Sequence, residues 1–128
     1  MIGGVHMKFK PLTEAEEAIM FKVWEIAPPI TSVILLKAFT ETRGWKSQTI
    51  STFLSRLVDK NYLSVKKRGA ANEYQAIISK EEYEQNFARE VINKIYGGSV
   101  KRLIASFVES ESISHDELEE LKQWFAER

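Results

Sequence analysis

Trp45-Lys46-Ser47-Gln48-Thr49-Ile50-Ser51-Thr52-Phe53-Leu54-Ser55-Arg56-Leu57-Val58-Asp59-Lys60 is the stretch on which the fold turns. Ile50, Leu54, Leu57 and Val58 recur at helical spacing and define one apolar face. The other face carries Gln48, Ser51, Thr52, Ser55 and Asp59. Ser47 suits the N-cap of a helix over about 48–60, and Asn61 suits its C-terminal stop. An apolar stripe backed by short, mostly uncharged polar groups describes a helix with one side in a core. Its other side can approach a second surface closely.

Working outward, the flanks supply the rest of a small module. Upstream, Thr31 or Ser32 caps a helix over about 32–42, with Val33, Leu36 and Phe39 on one side and Gly44 as its left-handed stop. Before it, Thr13 and Glu16 form a capping box for a helix whose apolar residues are Ala15, Ile19, Val23 and Ile26, ended by Pro28-Pro29. Downstream, Tyr62–Lys67 and Glu73–Ile78 read as two strands joined by a loop, Arg68–Asn72. Three helices and a hairpin in that order describe a winged helix-turn-helix.

The last third is helical. Ser79 and Glu82 form a second capping box for a helix to about Tyr96, with Tyr83, Phe87, Val91 and Ile95 four residues apart. Gly97-Gly98 breaks it, and with no strand before it the pair is not a phosphate loop. A helix over about 99–109 carries Val100, Leu103, Ile104, Phe107 and Val108. Ser114 and Glu117 start a last helix with Leu118, Leu121, Trp124 and Phe125. The predicted fold is mainly α with a small β-hairpin wing: a tail (1–11), a winged-helix DNA-binding domain (12–79) and a helical dimerisation domain (80–128).

Composition sharpens this. The 128 residues hold 18 Lys+Arg and 18 Asp+Glu, a net charge of zero. The balance is uneven along the chain: residues 1–79 carry a surplus of four positive charges, and residues 80–128 a surplus of four negative ones. Between Arg43 and Arg68, Arg43, Lys46, Arg56, Lys60, Lys66, Lys67 and Arg68 face one acid, Asp59. Such asymmetry points to nucleic acid on one side. In a winged helix the second helix of the pair reads base edges, so Gln48, Ser51, Thr52 and Ser55 are the expected reading face. Lys46 and Arg56 are expected at phosphates, with Lys66, Lys67 and Arg68 at the wing tip. The alternative is a winged-helix scaffold that binds protein through the same face without sequence-specific DNA binding. The wide apolar stripes of the last three helices have too little chain to cover them, which predicts a homodimer through Phe87, Val91, Ile95, Leu103, Phe107, Leu118, Leu121, Trp124 and Phe125.

Other chemistry is poorly supplied. The absence of cysteine removes disulfides, thiolate metal sites and cysteine nucleophiles. His6 lies in the tail and His115 beside a helix cap, so neither forms a base–nucleophile pair. Asp116, Glu117, Glu119 and Glu120 read as a solvated first turn that suits the helix dipole. No enzyme activity, cofactor or metal site is expected. No apolar run reaches the ~18 residues of a membrane span. The opening Met1–Met7 lacks the basic and hydrophobic regions of a secretory signal, and Met7 is a candidate native start. A cytoplasmic protein is expected.

The chain resembles the penicillinase-repressor (BlaI/MecI) family. The resemblance rests on Leu12–Glu16, Val23-Trp24, Trp45–Leu57, Glu73-Tyr74, Phe87, Ile92–Gly98, Leu103–Val108 and Glu117–Leu121. The Trp-x-x-x-Thr-Ile-x-Thr run that starts at Trp45 is its most specific part. The resemblance implies a bacterial, cytoplasmic winged-helix homodimer that represses genes at palindromic operators, with Thr49 in the DNA-contacting helix Ser47–Lys60 and dimerisation through Ser79–Ala126. It implies a partner for some members, a membrane metalloprotease sensor of β-lactams that triggers cleavage between Asn and Phe. The corresponding bond here is Ser106-Phe107, with Ser in place of Asn. Copper-responsive relatives carry a C-terminal cysteine cluster, and this chain has none.

Overall fold

The computed structural model of the chain describes residues 9–128. Helix α1 (Glu14–Glu25) starts at the expected capping box: the Glu16 amide donates to Thr13 Oγ1, and the Thr13 amide donates to Glu16 Oε1. A two-residue strand β1 (Ile30–Thr31) precedes α2 (Ser32–Arg43), which Thr31 caps and Gly44 ends in left-handed geometry. Helix α3 (Ser47–Asp59) follows, then β2 (Leu63–Arg68) and β3 (Ala71–Ala76). The chain closes with α4 (Lys80–Ile95), α5 (Val100–Glu109) and α6 (His115–Ala126). Mainly helical with one small sheet, it has the expected fold class.

The sheet has three antiparallel strands in the order β1-β3-β2. Leu63 pairs with Ala76, Val65 with Tyr74, Lys67 with Asn72 and Arg68 with Ala71; β1 adds Ile30 to Tyr74 and Thr31 to Glu73. Two details differ from the sequence reading. Strand β1 was not foreseen, because two residues after a proline pair, the second of them the helix cap, carry no periodic signal. The expected five-residue loop is a two-residue turn at Gly69-Ala70, so Arg68 and Ala71 belong to the ladder.

The core joins α1, α2, α3 and the sheet. Ile19, Met20 and Val23 of α1 meet Leu35 and Phe39 of α2 and Ile50, Leu54 and Leu57 of α3. The buried face of α2 is set by Leu35 and Phe39; Val33 is exposed and Leu36 only partly covered, so the expected stripe is rotated. Tyr62, Leu63, Ile78 and Tyr83 complete the core.

Part of the expected tail is also structured. Phe9 is buried beside Tyr62, the Tyr62 hydroxyl donates to the Lys10 carbonyl at 2.6 Å, and Lys60 Nζ donates to the Pro11 carbonyl at 3.0 Å. Residues 9–11 are therefore a strap on the core. The remainder of the expected tail, including His6 and Met7, lies outside the described residues.

The chain divides into two compact units, the first reaching Asn86 and the second running from Phe87 to Arg128. The first turns of α4 thus belong to the winged-helix unit. There the Tyr83 hydroxyl donates to Glu17 Oε2, and Trp24 Nε1 donates to the Ile78 carbonyl at 2.9 Å. In the second unit, Ser99 caps α5, and Ser114 and Glu117 form the expected capping box of α6. No helix among the described residues is long and apolar enough to cross a membrane.

Candidate nucleic-acid interface

Helix α3 holds its inner face in the core through Ile50, Leu54 and Leu57, which fixes what it presents outward. Ser47, Gln48, Ser51, Ser55 and Arg56 are exposed, and Thr49 and Thr52 are half-buried. Gln48, Ser51, Thr52, Ser55 and Asp59 fall on one row, at offsets of three, four, seven and eleven from Gln48. Up to Asp59 this row carries no charge. The Thr52 hydroxyl donates to the Gln48 carbonyl at 3.0 Å, so its proton is engaged within the helix and its methyl group remains for apolar contact.

The two ends of α3 are built differently. At the C-terminus, Lys60 is the cap and Asn61 is left-handed, with the Tyr62 amide bonded to the Leu57 carbonyl and the Asn61 amide to the Val58 carbonyl. At the N-terminus the cap is Lys46, with no side-chain hydrogen bond. Ser47, expected as the cap, is instead the first helical residue. The first-turn amides of α3 therefore have no side-chain acceptor and carry the positive end of the helix dipole.

The seven cations counted between Arg43 and Arg68 fall into two groups. Arg43 donates to both Glu14 oxygens at 2.8 Å and lies 5.1 Å from the Trp45 ring centre. That hydrogen bond holds the Glu14 carboxyl below its usual pKa. Lys60 Nζ sits 2.6 Å from Glu16 Oε1, whose side chain is 1% exposed. Burial pushes the Glu16 carboxyl up, but the hydrogen bonds from Lys60 and the Thr13 amide outweigh it and leave it below the usual carboxylate range. Arg68 Nε pairs with Glu73 Oε1 at 3.0 Å. Lys46, Arg56, Lys66 and Lys67 make no ion pair among the described residues.

The wing does not gather its three cations on one side. Side chains alternate along a strand, and Leu63 is buried, so Val65 and Lys67 share the core-side face with Asn72 and Tyr74. Lys66 and Arg68 lie on the opposite face with Glu73. Sequence reasoning missed the pairings of Glu14 and Glu16, which are long-range contacts, and that of Glu73, which depends on the hairpin register.

Comparison with known proteins fits this geometry. The penicillinase repressor family profile matches residues 12–127. The chain belongs to the penicillinase repressor family. Among its relatives, the methicillin resistance regulatory protein MecI of Mammaliicoccus sciuri is 28% identical over 87% of this chain and 89% of that one. The penicillinase repressor of Bacillus licheniformis is 28% identical over 91% of this chain and 90% of that one. Two solved structures are similar at a TM-score of 0.51: the DNA-binding domain of the repressor BlaI, 29% identical over 56% of this chain and 87% of that one, and monomeric Bacillus licheniformis BlaI in complex with the blaP half-operator, 28% identical over 59% and 90%.

The second unit presents a different surface. No residue from Phe87 to Arg128 is buried. Of the residues expected to dimerise, Phe87, Ile95, Phe107, Trp124 and Phe125 are exposed, while Val91, Leu103, Leu118 and Leu121 are partly covered. The Ser106-Phe107 bond lies inside α5, where the Ser106 carbonyl accepts from the Ser110 amide at 3.0 Å and from its hydroxyl at 2.7 Å.

Proposed function

We propose that this chain is a transcriptional repressor that binds palindromic operator DNA as a homodimer. Helix α3 enters the major groove of each half-site. The observation that carries the reading is its outward row, Gln48, Ser51, Thr52 and Ser55: uncharged and short enough for close approach, on a helix held by its inner face. Gln48 has the chemistry to bond adenine twice, and the Thr52 methyl suits the methyl of thymine. Lys46, with the uncapped amides beside it, and Arg56 take phosphates on either side of the helix, and Lys66 and Lys67 take the backbone at the wing.

Family membership and the likeness to BlaI bound to a half-operator support DNA as the partner. The unburied apolar groups of α4–α6 support a second copy as their cover. In this reading the chain works in the cytoplasm and has no catalytic role. Ser106-Phe107 is the candidate bond for inactivation triggered by a membrane metalloprotease sensor. Because that bond lies in a hydrogen-bonded helix, cleavage requires α5 to open locally first.

Retardation of palindromic promoter fragments tests the reading, with the fragments chosen by genome-wide footprinting. Binding is expected to be specific and to weaken steeply with salt. A folded chain that retards no such fragment at low salt sinks the proposal. Reversing the charges of Lys66, Lys67 and Arg68 abolishes retention if the wing holds DNA; retention that survives removes the wing cations from the interface, and the scaffold alternative is favoured only where the unaltered chain retains no fragment.

A further inference from the structure

We propose that Glu73 sets the affinity of the wing for nucleic acid by acting as a built-in counterion of Arg68. The inference rests on the DNA-binding reading above. Glu73 is the one acid between Leu63 and Ala76. It lies in the central strand, directly across from Lys66 on β2 and from Thr31 on β1. Its Oε1 is 3.0 Å from Arg68 Nε, with the Glu73 side chain 26% exposed and the Arg68 side chain 65% exposed. The carboxylate is thus the more covered partner, and the guanidinium the more exposed one. DNA phosphate must compete with Glu73 for Arg68. The Glu73 charge also offsets Lys66, which the ladder places on the same face.

A phosphate contact gains affinity largely by releasing a condensed counterion from DNA, and each contact steepens the salt dependence by about 0.9 in log–log slope. A cation that already carries its own carboxylate contributes less to that exchange. The wing then acts with at most the strength of Lys66 and Lys67, although the sequence shows three adjacent cations. Lys67 escapes the effect, because it lies on the other face with Asn72.

The test uses the full chain and its E73Q, R68Q and double variants, in operator retardation from low to high salt and in salt elution from heparin. E73Q keeps the size of the side chain and its capacity to accept from Arg68 Nε, and removes only the charge. Binding by E73Q is expected to tighten by about three- to tenfold, with a slope steeper by about 0.9 per wing. In the R68Q background the same change is expected to gain much less. A gain of equal size with and without Arg68 overturns the inference, since the carboxylate then acts as a generic negative charge. A loss of affinity in E73Q also overturns it, since Glu73 then orients Arg68 for binding. Heparin separates the two readings: an Arg68-dependent shift on heparin with no operator retained by any variant supports Glu73 as the counterion while the repressor reading fails.

Discussion

At the scale of single residues, Glu16 joins two jobs that the sequence shows only one of. It closes the capping box of α1, and it is the buried carboxylate that receives Lys60 from the end of α3. Removing the ammonium strands a charge in the core, so Lys60→Met is expected to cost about 3 kcal/mol. The lower part of the usual range applies, because Lys60 keeps some solvent. Chemical denaturation measures it, and a loss under about 0.5 kcal/mol would show the pair to be idle. The acid side follows from the same contact. The folded Glu16 carboxyl titrates below its unfolded value, so its stabilisation is present above the unfolded pKa and lost as pH falls through the folded one. Stability is expected to decline below about pH 4.5, and Glu16→Gln to flatten that decline. An unchanged acid limb in denaturation curves at stepped pH would move the acid sensitivity elsewhere. Glu14, also lowered by Arg43, is exposed and adds little.

At the scale of elements, α3 is where stability and binding separate. Ser51 is exposed and Thr52 half-buried on the outward row. Glu at exposed Ser51 is expected to change unfolding free energy by under about 0.5 kcal/mol, and at half-buried Thr52 by about 1 kcal/mol. The same substitutions set a carboxylate against phosphate and are expected to lower operator affinity more than tenfold. Normal retardation by both variants would place the reading face elsewhere on α3. The turn into α3 is a second lever. Gly44 has φ +66°, and an added Cβ there would meet nothing within 4 Å, so Gly44→Ala tests backbone conformation without a clash. A cost of about 1 kcal/mol is expected, read as a lower denaturation midpoint.

The same elements show what was legible in the chain. The inner face of α3, the boxes at Thr13, Ser79 and Ser114, the stop at Gly44 and the hairpin are local patterns, and local patterns persist in the fold. The outward row of the candidate site follows from the same periodicity. What escaped depends on distant partners: β1 needs β3, the strap at Phe9–Pro11 needs Lys60 and Tyr62, and the wing cations divide only once the turn fixes their register. The Ser47 cap failed for a local reason, since helical geometry begins at Ser47 itself and leaves Lys46 in the extended cap position.

At the scale of the whole molecule, the zero net charge limits how strongly a single chain is drawn to DNA. Of the seven cations near α3 and the wing, Arg43, Lys60 and Arg68 already have carboxylate partners, which weakens each head further. Two linked heads avoid that limit, since the second binds as an intramolecular event and gains about 10²–10⁴ over either alone. In the proposed dimer the groups that would link them are those that α4–α6 leave uncovered, among them Phe107 at 44% exposure and Trp124 at 47%. Asp at either position places a charge where the second copy would bury an apolar ring, and it also removes the contacts each ring makes in its own unit, so helical content is read alongside. Phe107→Asp and Trp124→Asp are therefore expected to sediment as monomers with helical content retained. They are expected to lose at least a hundredfold in affinity for the palindrome while binding a half-site like the unaltered chain. Sedimentation velocity and retardation on the two fragments check both halves. An unaltered chain that sediments as a monomer at micromolar concentration, yet holds the palindrome at least a hundredfold more tightly than a half-site, assigns this face to another partner.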